Sequence, residues 1–100
     1  MKKTEVYNAI TNNEICVLDF WASWCGPCTH MKDVIEKLEK EFSNINFIKI
    51  NVDENRDICL KFQISTVPTL IIFKNGEIVD TITGFHNFNE LSAIIEKIVE

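Results

Sequence analysis

The stretch Ile15-Cys16-Val17-Leu18-Asp19-Phe20-Trp21-Ala22-Ser23-Trp24-Cys25-Gly26-Pro27-Cys28 decides the reading of this chain. Its first eight residues form a nearly continuous apolar run, as in a central strand buried on both faces. A helical pattern begins directly after it. Met31, Val34, Ile35, Leu38 and Phe42 recur at helical spacing between charged residues. Cys25 therefore falls at a helix N-terminus, and Cys28 lies one turn along on nearly the same face. Two sulfurs so placed can form a short-loop disulfide with little backbone movement. The free N–H groups of the helix end favour a thiolate on Cys25. This is the arrangement of a thiol–disulfide exchanger, with Cys25 as the attacking thiolate and Cys28 as the resolving one.

Outward from that stretch the pattern is α-β-α-β-α-β-β-α. A short helix is predicted over Thr4–Thr11, with Val6, Tyr7 and Ile10 as its apolar stripe. Ile45–Val52 alternates as a strand, Asn55–Phe62 reads as a short helix, and Thr69–Phe73 as an apolar strand. Asn75-Gly76 supplies a hairpin turn into Glu77–Thr83. Asn87, with Glu90 three residues on, predicts the cap of a last helix whose stripe is Leu91, Ile94, Ile95 and Ile98. The first two long strands are joined by a helix, so they should be parallel with a right-handed crossover. The last two should form an antiparallel hairpin.

One hundred residues, 46% of them hydrophobic, suffice for one domain over residues 1–100 with a core that needs no staples. The balance of 10 basic to 15 acidic residues, net −5, argues against nucleic acid and anionic membranes as partners. No apolar run approaches the roughly 18–20 residues of a membrane span. No apolar segment with a cleavage site follows Lys2-Lys3, so an intracellular protein is expected. Four cysteines in such a chain suggest redox chemistry rather than a secreted disulfide framework. Half of a zinc site is the competing reading of Cys25 and Cys28. A closed zinc site needs about four ligands, and neither a second Cys-x-x-Cys nor a His pair is present.

Several further motifs stand at informative spacing. They are Asp19-Phe20-Trp21-Ala22-Ser23-Trp24-Cys25-Gly26-Pro27-Cys28, Lys49-Ile50-Asn51-Val52-Asp53, Val67-Pro68-Thr69, Phe73-Lys74-Asn75-Gly76-Glu77 and Gly84. In this order the chain resembles the thioredoxin family over nearly its whole length. The resemblance implies an α/β thioredoxin fold, with a central mixed sheet of four or five strands and helices on both faces. It implies a general protein disulfide reductase, without bound cofactor, recycled by a thioredoxin reductase. A cytoplasmic monomer acting on disulfide-containing proteins is expected. Gly26-Pro27 between the cysteines is the reducing-type pair of the superfamily, whereas isomerases typically carry Gly-His. Proline at a helix start also costs no hydrogen bond and stiffens the dithiol. A non-catalytic binding subunit is a different class, but it would not require the intact dithiol with Asp19.

The resemblance also assigns roles. Asp19, a costly carboxylate within an apolar strand, becomes a buried proton acceptor for Cys28, with Lys49 as its electrostatic partner. The competing readings are a solvated strand-end residue and an ordinary surface lysine. Pro68 alone reads as a trans strand-start proline, since cis bonds are rare. The resemblance reverses that, placing Val67 and Pro68 against the dithiol, where the Val67 backbone could pair with an extended substrate. Trp24, Val67 and Gly84-Phe85 would form an apolar docking rim, with Trp21 half in the core. Cys16 and Cys59 read as small buried hydrophobes. His30 is expected to be a solvated helix residue, and no task is evident for His86. Three departures stand out. Only 18 residues precede Asp19, so the customary first edge strand is a stub or absent. Asp33 replaces a helix-kinking proline, and Thr29-His30 follows Cys28 where a basic and an apolar residue are common.

Overall fold

The computed structural model describes residues 1–100. The elements are α1 (Lys3–Asn12), β1 (Ile15–Trp21), α2 (Gly26–Glu41), β2 (Asn46–Asn51), α3 (Arg56–Lys61), β3 (Thr69–Lys74), β4 (Glu77–Thr83) and α4 (Phe88–Val99). Their order is the predicted one, with ends shifted by a residue or so. One four-stranded sheet forms, in the order β2-β1-β3-β4. β1 is central, parallel to β2 and antiparallel to β3. Asn75 and Gly76 both have positive φ, as a two-residue hairpin turn requires, and join β3 to β4. Of the four or five strands expected, four are present, and the residues ahead of β1 form a helix.

Side-chain alternation in β1 sorts the core into two layers. Ile15 and Val17 pack with Met31, Ile35 and Leu38 of α2 and Leu91 and Ile95 of α4. Cys16, Leu18 and Phe20 face the other way, against Val6 and Ile10 of α1 and Ile58 of α3. Both faces are covered, which is why the strand carries no polar alternation. Phe62, just past α3, ties this second layer together, with ring centroids 6.0–6.3 Å from those of Tyr7, Phe20 and Phe73.

The helices end where local chemistry ends them. Asn87 accepts from the Glu90 N–H at 2.9 Å, and its own N–H donates to the Glu90 carboxylate at 3.1 Å. This is the expected capping box. At the other end of α4, Lys74 Nζ donates to the Ile98 carbonyl at 2.6 Å, placing a cation where the helix dipole is negative. α2 runs unbroken through Asp33, consistent with an aspartate where the family has a kinking proline.

By parity, Asp19 lies on the α2/α4 side of β1. The parallel register sets Lys49 beside it on β2. The same face therefore presents Asp19 towards the first turn of α2, which carries the cysteines.

Candidate active site

β1 ends at Trp21, and the chain turns sharply into α2. The Cys25 N–H donates to the Ala22 carbonyl at 3.3 Å. Cys25 is the N-cap residue of α2, and its sulfur accepts the Cys28 N–H at 3.2 Å. A sulfur here takes the place of the oxygen that an N-cap normally offers. Such a donor, with the helix dipole behind it, stabilises negative charge on that sulfur. Pro27 in the first turn has no N–H to waste. Cys25 and Cys28 are joined as a disulfide, with Cα atoms 5.3 Å apart. Both are nearly buried, at 5% and 6% exposure. Burial thus does not distinguish them, but position does. Cys25 holds the cap, while Cys28 faces a cleft beneath the motif.

That cleft, of about 580 Å³, also reaches Asp19, Lys49, Asn51 and Asn55. Asp19 is 5% exposed. Burial raises its pKa from 3.8 to about 6, the nearby Lys49 ammonium opposes the rise, and Glu39 adds to it. The carboxyl can therefore exchange a proton near neutral pH. Lys49 is not paired directly with Asp19. Its ammonium bridges Glu39 of α2 at 3.1 Å, and it acts on Asp19 through space.

On the other side of the dithiol, the Val67–Pro68 peptide is cis. Val67, with Trp21 and Val52, packs against Ala22, Cys25 and Cys28. Thr69 Oγ1 donates to the Thr66 carbonyl at 2.7 Å, closing this loop. The Gly84 N–H donates to the Pro68 carbonyl at 2.9 Å, with Gly84 at φ +82°. A side chain would be strained in that conformation. Trp24, 69% exposed, projects from the turn. Its indole N–H donates to Asp53 at 2.8 Å, and Asp53 is held by its own N–H on Asn51 Oδ1 at 2.9 Å. Trp24, Val52 and Val67 line a second, apolar cleft of about 410 Å³.

A family model described as Thioredoxin matches residues 1–97. The chain belongs to the thioredoxin family. It is 44% identical over 82 residues to a thioredoxin of Staphylococcus saprophyticus, covering 81% of this chain and 79% of that one. A Bacillus subtilis thioredoxin is 37% identical over 92 residues, covering 91% and 88%. A solved mutant thioredoxin from Halobacterium salinarum superposes with a TM-score of 0.92 at 34% identity, covering 100% of this chain and 88% of that one. As a thioredoxin, the chain is a dithiol–disulfide oxidoreductase acting on disulfide-containing substrates, with Cys25 and Cys28 as its pair.

The expected site residues fall on two clefts and a loop near the dithiol. Asp19 and Lys49 share a cleft with Cys28, Val67 packs against the disulfide and shares the apolar cleft with Trp24, and Gly84 is bonded to Pro68 next to Val67. Trp21 is half-buried, as expected. Cys16 is fully buried, and burial pushes its thiol up to about 11. Cys59 is only half-buried; burial first, then Asp57 and Asp53, raise its pKa. His30 is exposed, edge-on to Phe85 with ring centres 6.5 Å apart. His86 Nδ1 donates to the Gly84 carbonyl at 3.1 Å, buttressing the loop. Two polar residues near the site carry no signal of their placement in the sequence. Asp53 stood within a quoted motif, but its bond to Trp24 spans 29 residues. Asn55 reads in the sequence only as the start of a short helix. No helix is long and apolar enough to cross a membrane.

Proposed function

We propose that the protein is a general protein disulfide reductase, working as a cytoplasmic monomer and recycled by a thioredoxin reductase. The observation that carries this reading is the Cys25 sulfur at the cap of α2, accepting the Cys28 N–H, with a cleft running from Cys28 to Asp19. In the reduced protein the Cys25 thiolate attacks a substrate disulfide. One substrate sulfur leaves, and a mixed disulfide forms. Asp19, ionised at this stage, takes the Cys28 proton. The Cys28 sulfur then attacks Cys25, the internal disulfide forms, and the second substrate sulfur leaves. The substrate gains two electrons and the dithiol loses two. Lys49 keeps Asp19 from holding its proton too tightly. Gly26 and Pro27 tune the pair. Trp24, Val67, Pro68 and Gly84 supply the apolar ledge, where the Val67 backbone pairs with an extended substrate segment.

An insulin disulfide-reduction assay tests the reading. Cys25→Ser should abolish turnover, and Cys28→Ser should trap substrate on Cys25 as a mixed disulfide. Full activity of Cys25→Ser would sink the proposal. Turnover of the wild type with NADPH and a thioredoxin reductase tests the recycling step separately.

A further inference from the structure

The short helix α3 has two unlike faces. Ile58 is fully buried in the second core layer. Arg56, Cys59 and Leu60, at i, i+3 and i+4, share another face and line the apolar cleft of about 410 Å³ that Trp24, Val52 and Val67 also line. Val52 and Val67 pack in turn against Ala22, Cys25 and Cys28, so the cleft is continuous with the ledge beside the reacting sulfurs. Leu60 is 79% exposed and Trp24 69%. A single exposed apolar side chain is ordinary, but these two open on the same cleft. Arg56 is the only arginine of the chain and the one charged residue on the cleft wall. It has no ion pair. The single ion pair of the structure joins Lys49 to Glu39, and the Asp53 carboxylate accepts from the Trp24 indole instead. The Arg56 side chain is exposed, and its five N–H donors face water until a ligand replaces it. A carboxylate is the group that fits the guanidinium fork with two parallel bonds.

We propose that Arg56 is a specificity-determining residue, selecting substrates that carry an aspartate or glutamate at one fixed position near the attacked cysteine, beside an apolar residue that fills the cleft. This rests on the disulfide-reductase reading. An extended substrate segment sends every second side chain to the same side, about 7 Å apart. Leu60 and Arg56 lie one turn apart on α3, about 6 Å along its axis. An apolar side chain set against Leu60 therefore brings the side chain two residues on to Arg56. The attraction is local and opposes the charge of the whole molecule. With a net charge of −5, the protein repels an acidic segment in general, and Arg56 reverses that sign at one place on the cleft.

The test uses short peptides that contain a leucine and a single cysteine, the cysteine joined as a mixed disulfide to a chromogenic aromatic thiol. The Cys25 thiolate of the reduced protein attacks the peptide sulfur. A bond from Cys25 to the peptide forms, and the aromatic thiolate leaves with the electron pair of the broken bond. Its absorbance thus reads the step in which the peptide occupies the cleft. A glutamate is moved through the positions on either side of the cysteine, with glutamine at the same position as the reference. Net charge alone makes the glutamate peptide the slower one everywhere. Arg56 should make it about fivefold faster at one position, two residues from the leucine, which is the upper end for an exposed ion pair. Arg56→Gln should abolish that preference, and Arg56→Glu should invert it in favour of a lysine peptide. Arg56→Lys keeps the charge without the fork, so it should retain only part of it. Roughly 1 M salt, with a screening length of about 3 Å, should shrink it. The assignment is overturned if glutamate is favoured at no position, or equally at every position, or if the preference survives in Arg56→Gln. Two levels of failure are separable. If the wild type releases no aromatic thiol from any peptide while Cys25→Ser behaves the same, the reductase reading itself fails. If the wild type reacts with all of them and the Arg56 variants give the same ratios, only the role of Arg56 fails.

Discussion

Asp19→Asn should stabilise the protein at neutral and alkaline pH, although it removes a group that the reaction uses. Asp19 is 5% exposed in the middle of β1, and burial lifts its pKa from 3.8 to about 6. The sign follows from which state holds the proton more tightly. The folded chain keeps it up to about pH 6, whereas the unfolded chain releases it near 3.8. As pH rises through that window, the unfolded state ionises first and stability falls. The penalty is absent below the unfolded value and complete above the folded one. At 1.36 kcal/mol per unit, the full penalty is about 3 kcal/mol. That is a large share of the roughly 5–15 kcal/mol that holds a domain folded. Asparagine keeps the shape and removes the charge. Urea unfolding of the oxidised protein, followed by far-UV circular dichroism, measures the difference. The variant should be more stable by about 3 kcal/mol at about pH 8, and by only about 0.5 kcal/mol at about pH 4. Thermal midpoints should differ by roughly 12–24 °C at the higher pH, given about 4–8 °C per kcal/mol for a domain of this size. Equal stability at both pH values would refute the reasoning. So would a gap that widens on acidification, because it would mean that the folded state favours the ionised carboxyl.

Lys49→Gln removes the charge that opposes the rise of Asp19. The midpoint of the Asp19-dependent step should move to higher pH, read from the pH profile of disulfide reduction; an unmoved or lowered midpoint would show that Glu39 already neutralises this lysine. In the fully reduced protein at about pH 7, an alkylating agent should label Cys25 first and Cys59 slowly, leaving Cys16 unlabelled until the chain unfolds. Peptide mapping by mass spectrometry checks that order, and early labelling of Cys16 would contradict its burial. Phe62→Ala should cost about 3 kcal/mol, since it removes the ring that joins α1, β1 and β3 in one layer. Urea unfolding measures the loss, and a cost below about 1 kcal/mol would mean that the half-exposed ring contributes little.

The fold was legible because its signals are local and agree with one another. β1 announces itself as a buried run, α2 by its spacing, the hairpin by Asn75-Gly76 and α4 by its capping box. Each is a statement about neighbours within four residues. The dithiol was legible for the same reason, since both sulfurs sit in one helical turn. Contacts over long sequence separation were not. Nothing in the spacing says that Lys49 bridges Glu39 rather than Asp19, because the choice depends on how α2 lies across the sheet. The Trp24–Asp53 bond likewise depends on the turn after β2 closing over the turn after β1. The cis bond at Pro68 was reached only through family resemblance, as the residues alone favour trans.

Asp19 and Asn55 mark the limit of such reading most clearly. Both are nearly buried polar residues on one cleft. Asp19 contradicts its surroundings. A carboxylate in the middle of a buried apolar strand breaks the pattern, and the break draws attention to its chemistry. Asn55 contradicts nothing, because an asparagine before a helix is what the local rule prefers. Its departure lies in orientation: the side chain abandons the cap and turns towards the carbonyl of Asn51. A polar residue that obeys its local rule by identity and breaks it by conformation leaves no trace in the sequence. Residues of this kind are found only by asking, for each buried donor and acceptor, where its hydrogen bond goes. In this chain that question has one unanswered case among the buried side chains, Asn55 Oδ1, and it belongs to a residue that lines the same cleft as Asp19 and Cys28.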